Sequence, residues 1–144
     1  MRGAESVPVK TLNILLVDDD AVDVMNVQRA FKKSNIHNTL YIASDGRQAL
    51  DMLRNGTVPS SNRLVLLDLN MPRMNGLEFL RALRADPELC ATPVVVLTTS
   101  NDDRDRLQSY AHNVAGYLVK PVASPAFVEL MAALNAYWSR VEMP

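Results

Sequence analysis

Three uninterrupted apolar runs stand out along the chain, at 14–17 (ILLV), 64–67 (LVLL) and 94–97 (VVVL). A run with no polar residue in alternation marks a strand buried on both faces. Two further segments, 40–43 (LYIA) and Gly116–Val119 (GYLV), read as strands as well. Between these runs the apolar period changes. Val24, Val27 and Phe31, at spacings of three and four, predict a helix over Ala21–Lys33. Ala49, Leu50 and Leu53 mark a short second helix, and Leu77, Leu80 and Leu83, with Phe79 alongside, a third that ends near Asp86-Pro87. A more polar helix is predicted over Asp103–Ala111. Phe127, Leu130, Met131, Leu134, Trp138 and Val141 define a long final helix, with Ser124 as its N-cap and Pro125 at its first position. Asp45-Gly46 punctuates like a turn, and 55–62 (NGTVPSSN) reads as a loop.

The pattern is strand then helix, five times over, which implies an α/β fold with a parallel sheet and helices on both faces. Right-handed crossovers restrict its topology sharply. Residues 1–11 are polar and broken by Pro8, so they read as a flexible arm before a single domain at 12–141, with 142–144 as a tail.

Composition narrows the function. The chain has 144 residues, of which 48% are hydrophobic, enough for a substantial core. Net charge is −1, from 15 basic and 16 acidic side chains, which gives no broad basic surface for nucleic acid. Cys90 is the only cysteine, so no intramolecular disulfide can form, as suits a reducing cytosol. The first residues lack the apolar stretch of a signal peptide. No apolar run approaches the ~20 residues that span a bilayer. A cytoplasmic protein without membrane or nucleic-acid partners is expected. His37 and His112 stand apart and read as surface residues, so a zinc site is not expected. Cys90 is expected to be a buried or half-buried thiol.

The residues that follow the strands carry the chemistry. Asp18, Asp19 and Asp20 follow the first, Asp68 the third, Thr98 and Thr99 the fourth, and Lys120 the fifth. In an open α/β sheet these carboxyl ends share one edge, where ligands bind. Acids after strands often cap the next helix, and Asp20 fits that role. Coincidence at four strand ends asks for more. Clustered carboxylates repel and raise one another's pKa. A hard divalent cation removes that cost, and Mg²⁺ typically takes one or two carboxylates together with phosphate oxygens. Asp68 is then a nucleophile candidate, since carboxylates form aspartyl-phosphates. Lys120 and the Thr98 hydroxyl are positioned to meet phosphoryl oxygens.

With these residues in view, the chain resembles the receiver domain of bacterial two-component response regulators. The motifs LLVDDD, LLLDLNMPRMNG, VVVLTTS and GYLVKP occur in the order and spacing of that family, over about residues 12–140. The resemblance implies a CheY-like, flavodoxin-like (βα)5 doubly wound fold with strand order 2-1-3-4-5. It implies that Asp68 is the phosphoacceptor and that Asp18, Asp19, Asp68 and the Asn70 backbone carbonyl hold Mg²⁺. Thr98 and Tyr117 become the switch pair, and Lys120 the phosphate-pairing lysine. It also implies a cis Lys120-Pro121 bond and a lifetime tuned by Asn70, Thr99 and Ser100. Thr99 is larger than the small residue usual there. LLDLNMPRMNG, LTTS, LRADPEL and the closing AYW are further similar to single-domain regulators of bacterial phytochromes. That similarity implies a red-light histidine kinase as partner and a homodimer through the fourth helix, fifth strand and fifth helix. Pro121 departs from those relatives, which often lack it.

Ala133, Ala136 and Tyr137 form a second face on the last helix, either exposed or a dimer contact, while Trp138 reads as packing. The chain ends at Pro144 with no output domain, so its output is expected to be a protein contact. Two other readings compete. A Mg²⁺-dependent phosphatase would carry a second aspartate two residues after its nucleophile, where this chain has Asn70. A phosphorylation-independent pseudo-receiver would not need the full set of Asp18, Asp19, Asp68, Thr98 and Lys120.

Overall fold

The computed structural model describes residues 10–122 and 124–144, so residues 1–9 of the flexible arm expected at 1–11 lie outside the described residues. Strands and helices alternate: β1 (Asn13–Val17), α1 (Ala21–Lys33), β2 (Thr39–Ala43), α2 (Gly46–Arg54), β3 (Arg63–Leu67), α3 (Gly76–Ala85), β4 (Val94–Thr98), α4 (Asp103–Ala111), β5 (Gly116–Val119) and α5 (Ser124–Trp138). The strands are all parallel and lie in the order β2-β1-β3-β4-β5. This is the doubly wound order expected from the family resemblance.

Successive strand residues point to opposite faces, and each face builds its own core. Leu15, Val17, Val65, Leu67, Val94 and Val96 pack with Leu50 and Leu53 of α2 and Phe79, Leu80 and Leu83 of α3. Ile14, Leu16, Leu64, Leu66, Val95 and Leu97 pack with Val27 and Phe31 of α1 and Phe127, Met131 and Leu134 of α5. Truncating one of these fully buried leucines to alanine costs about 2–5 kcal/mol. α4 contributes least to either core; Ser109 is its one buried residue. No helix among the described residues is long and apolar enough to cross a membrane.

The helix starts are set by short polar side chains. Asp20 caps α1 by accepting from the N–H groups of Val22 and Asp23. Asn75 and Glu78 form a reciprocal capping box on α3, and Asp102 caps α4. Asp45-Gly46 does not form a separate turn: Asp45 caps α2 and Gly46 is its first residue. A Cβ on Gly46 would stand 2.9 Å from both the Met74 carbonyl oxygen and Phe79 Cβ, so the close approach of α2 to the 69–75 loop requires glycine. α5 starts at Ser124 itself and stops at Trp138, short of Val141, where Arg140 N–H bonds the Tyr137 carbonyl and tightens the end.

Lys10, at the described end of the arm, is tied down: its N–H donates to the Ser139 carbonyl (2.8 Å) and its Nζ to the Val141 carbonyl (2.7 Å). Met143 of the tail packs against the α1/α5 core. Cys90 is exposed, contrary to expectation, because Leu89 takes the inward position of that turn. His37 is exposed as expected, whereas His112 is half-buried. Arg84 at the end of α3 spreads its guanidinium over four carbonyls: Nε donates to His112 (2.7 Å), Nη1 to Cys90 (2.7 Å) and Thr92 (2.8 Å), and Nη2 to Asn113 (3.1 Å).

Candidate functional site

The sheet hydrogen bonds continue one residue past the strands and so align the side chains that follow. Asp18 N–H donates to the Ala43 carbonyl, Asp68 N–H to Val17 and Lys120 N–H to Thr98, at 3.0, 2.9 and 2.8 Å. Asp18, Asp68 and Lys120 therefore leave the sheet edge together, beside Thr98 at the end of β4.

Five side chains meet there. Asp68 is 8% exposed and Thr98 fully buried; Thr98 Oγ1 donates to Asp68 Oδ1 at 2.9 Å. The Asn70 N–H approaches the same oxygen at 3.3 Å. Lys120 Nζ lies 3.6 Å from Asp68 Oδ2, 2.9 Å from Asp18 Oδ2 and 2.8 Å from Asp23 Oδ2. Asp18 Oδ1 also accepts from the Asp20 N–H at 2.9 Å. Lys120 is thus the shared counter-ion of three carboxylates.

The electrostatics follow from that sharing. Burial works against the Lys120 charge, but hydrogen bonds to Asp18 and Asp23 and the charges of Asp18 and Asp68 outweigh it. Its pKa is held above the ordinary lysine value. Burial pushes Asp18 above the usual carboxylate range, and Asp68 adds to that; Lys120 and the Asp20 N–H offset it in part. Carboxylate oxygens of Asp18, Asp23 and Asp68 all lie within 4.8 Å of one another. An all-oxygen donor set of this kind, crowded and anionic, fits a hard divalent cation.

A second network runs from Thr98 away from the cluster. Ser100 N–H approaches Thr98 Oγ1 at 3.3 Å, Ser100 Oγ donates to Asp105 Oδ2 at 2.6 Å, and Tyr117 OH donates to the Ser100 carbonyl at 2.9 Å. Tyr117 is half-buried and packs against the α2/α3 core, while Thr99 is exposed. The 98–102 loop is held to α4 through Asp105 and to β5 through Tyr117.

The structure brings Asp18, Asp68, Thr98 and Lys120 together, as their places after the strands predict. Asp19 and Asn70 stay exposed at the rim, with Asp23 in the carboxylate cluster instead of Asp19. One expectation is corrected: no peptide bond among the described residues is cis, so Lys120-Pro121 is trans. Trans is the lower isomer of an X-Pro bond by about 0.5–1 kcal/mol, and Lys120 reaches all three carboxylates from it. Sequence reasoning missed Asp23 and Asp105. Asp23 stands three residues after the N-cap Asp20, where a helix favours acids for its own sake, and nothing in that placement points to Lys120.

The response regulator receiver domain model matches residues 14–133. The chain belongs to the response regulator receiver family. Among curated relatives, the probable methanogenesis regulatory protein FilR2 of Methanothrix harundinacea is 38% identical over 127 residues, covering 87% of this chain and 82% of FilR2. Response regulator Rcp1 of Synechocystis is 38% identical over 137 residues, covering 93% of this chain and 92% of Rcp1. The Mn²⁺-bound form of Rcp1 matches in structure with a TM-score of 0.78, at 37% identity over 91% of this chain and 97% of that one. The phosphorylated cyanobacterial phytochrome response regulator RcpA matches with a TM-score of 0.82, at 32% identity over 93% of this chain and 99% of that one. The receiver domain is a signalling module of two-component systems, and its acidic pocket is compatible with a divalent cation and with phosphorylation.

Proposed function

We propose that this receiver accepts a phosphoryl group on Asp68 from a histidine kinase and switches a protein–protein contact. The observation that carries the reading is the state of the Asp68 carboxylate. It is nearly buried at the end of β3, with the Thr98 hydroxyl on one oxygen and the Lys120 ammonium beside the other. In the transfer, an Asp68 oxygen forms the new bond to phosphorus as the P–N bond of phosphohistidine breaks. The protonated imidazole leaves as neutral histidine. Hydrolysis reverses the state: water attacks phosphorus, the acyl-phosphate P–O bond breaks, and Asp68 is regenerated with release of phosphate. Lys120 pairs with a phosphoryl oxygen as a point charge, and Thr98 turns its hydroxyl from Asp68 to another. Asp18, Asp19, Asp68 and the Asn70 carbonyl would hold Mg²⁺, which neutralises charge on the transferring group.

Drawing Thr98 toward a phosphoryl group removes the oxygen that Ser100 N–H approaches, so the Ser100–Tyr117–Asp105 network is the element that answers. For the 98–102 loop to switch, the phosphoryl group must bind one of its arrangements better than the other. Asn70, Thr99 and Ser100 flank the path of the attacking water and would tune the lifetime. Leu107 and Tyr110 on α4, Val119 on β5 and Tyr137 on α5 are large exposed apolar residues, which supports this surface as the homodimer contact. Likeness to a phytochrome response regulator supports a phytochrome-type kinase in the cytoplasm as the donor.

The test is intact mass after treatment with a small phosphodonor, with and without Mg²⁺, on wild type and Asp68→Asn. One phosphoryl adduct that needs both Mg²⁺ and Asp68 is expected. Wild type that takes no adduct, yet still binds Mg²⁺ and a stable phosphoryl mimic such as beryllofluoride without change of loop or oligomer, would leave a pseudo-receiver.

A further inference from the structure

Asp23 is the one member of the carboxylate cluster to which the phosphoacceptor chemistry gives no task. We propose that Asp23 is a positioning residue for Lys120: it keeps the ammonium beside Asp68 when a cation claims Asp18. The proposal rests on the reading of Asp68 as phosphoacceptor. An ammonium has three protons, and in this structure it spends its two short contacts on Asp23 (2.8 Å) and Asp18 (2.9 Å). Asp68 is the third and longer contact, at 3.6 Å. A divalent cation held by Asp18 and Asp68 would repel the ammonium and occupy the oxygens it uses. Asp23 is then the remaining anchor.

The placement suits that role. Asp18 and Asp68 extend from strand ends, whereas Asp23 sits in the first turn of α1. α1 packs on α5, the helix that follows Lys120, through Val27, Phe31, Phe127 and Met131. The Asp23–Lys120 distance is therefore set by the packing of α1 as well as by the end of β5, whereas Asp18 and Asp68 are placed by strand ends alone. The lysine side chain is 7% exposed and that of Asp23 27%, so the pair is far from a solvated rim contact. Released from Asp23, the four-carbon stem has somewhere to go: a groove between α1 and α5 lined by Asn26, Arg29, Ser124 and Phe127 opens beside it.

A direct role for Asp23 in holding the cation would use the same carboxylate, and a double-mutant cycle separates the two. The full chain is compared as wild type, Asp23→Asn, Asp23→Glu, Lys120→Met and Asp23→Asn/Lys120→Met. Three quantities are read. These are the Lys120 ammonium signal in ¹H–¹⁵N spectra at saturating Mg²⁺, where Asp18 no longer holds it, Mg²⁺ affinity, and the rate of acetyl-phosphate modification at saturating Mg²⁺. Asp23→Asn is expected to lose the ammonium signal and to slow the saturated rate by roughly 10- to 100-fold, the value of one charge-assisted hydrogen bond. Asp23→Glu restores most of the rate, and Asp23→Asn adds nothing once Lys120 is methionine. A persistent ammonium signal in Asp23→Asn overturns the proposal, as does an equal slowing in the Lys120→Met background. Weaker Mg²⁺ binding in both backgrounds assigns Asp23 to the cation and also overturns it. Wild type that takes no adduct refutes the phosphoacceptor reading instead, and the ammonium spectrum still decides whether Asp23 holds Lys120.

Discussion

Replacing Lys120 by methionine keeps the length of the side chain and removes its charge, leaving Asp18, Asp23 and Asp68 without their counter-ion. Each attraction is worth several kcal/mol at an effective dielectric of ~20, but most of it is spent on desolvating the ammonium. What remains is the penalty of breaking a buried ion pair, ~3–5 kcal/mol. The lower end applies because Asp23 is 27% exposed and the variant can pick up protons. A loss of ~3 kcal/mol at pH 7.5 corresponds to roughly 10 °C in Tm for a domain of this size. The sign of the pH dependence is fixed. Burial already raises the Asp18 pKa, and removing Lys120 removes what offsets it, so Asp18 binds protons more readily folded than unfolded; the variant gains stability as pH falls from 8 to 5 and the gap to wild type narrows. Divalent cation should close it further: a concentration of 100 Kd contributes about 2.7 kcal/mol, and in the variant no ammonium has to be displaced. Urea unfolding in EDTA and in Mg²⁺, followed by the fluorescence of the single tryptophan, Trp138, measures all three effects. A metal-free variant within ~0.5 kcal/mol of wild type across that pH range would refute the counter-ion argument.

Gly76→Ala would place a Cβ 2.6 Å from the Asp68 carbonyl oxygen and 2.6 Å from Leu69 Cα; it should cost roughly 1–3 kcal/mol and slow phosphorylation of Asp68, read by denaturation and intact mass. Arg84→Lys cannot reproduce a fork over four carbonyls, and a loss of ~2–3 kcal/mol is expected from leaving such acceptors unpaired. Asp45 accepts from the Gln48 N–H and pairs with Arg73, and these contacts hold its pKa below the ordinary 3.8. Its contribution is complete above that value and lost as pH falls through the folded pKa. Asp45→Asn should therefore lie below wild type at pH 7, with the difference vanishing as pH falls through the folded pKa in acid titration of stability. Tyr137→Asp, on the exposed face of α5, should abolish any phosphate-dependent dimer in sedimentation while leaving the Asp68 adduct unchanged.

The sheet was legible because its three inner strands, β1, β3 and β4, are buried on both faces, and such strands announce themselves as unbroken apolar runs. The site was legible for the same reason: once the runs ending at Val17, Leu67, Leu97 and Val119 were recognised, parallel topology put the residues after them on one edge. What stayed hidden depends on contacts between distant segments. Asp23 reads as a helix-favouring acid until α1 packs against α5. Arg84 reads as a surface arginine until residues 90, 92, 112 and 113 bring their carbonyls to it. Asp45-Gly46 reads as a turn because glycine usually marks one, whereas here it marks a backbone crossing.

The Arg84 fork has a mechanical consequence. Two of its four carbonyls belong to His112 and Asn113, the residues that close the C-terminal end of α4. That end is riveted to α3, while the opposite end is joined to the 98–102 loop by the Ser100–Asp105 hydrogen bond and its own cap. With Ser109 its one buried residue, little friction holds the shaft between. In the proposed switch α4 would be a lever with its fulcrum far from Asp68. Displacement of the loop near Thr98 would become a swing, small at His112 and largest at Asp103, carrying the outer faces of Leu107 and Tyr110 with it.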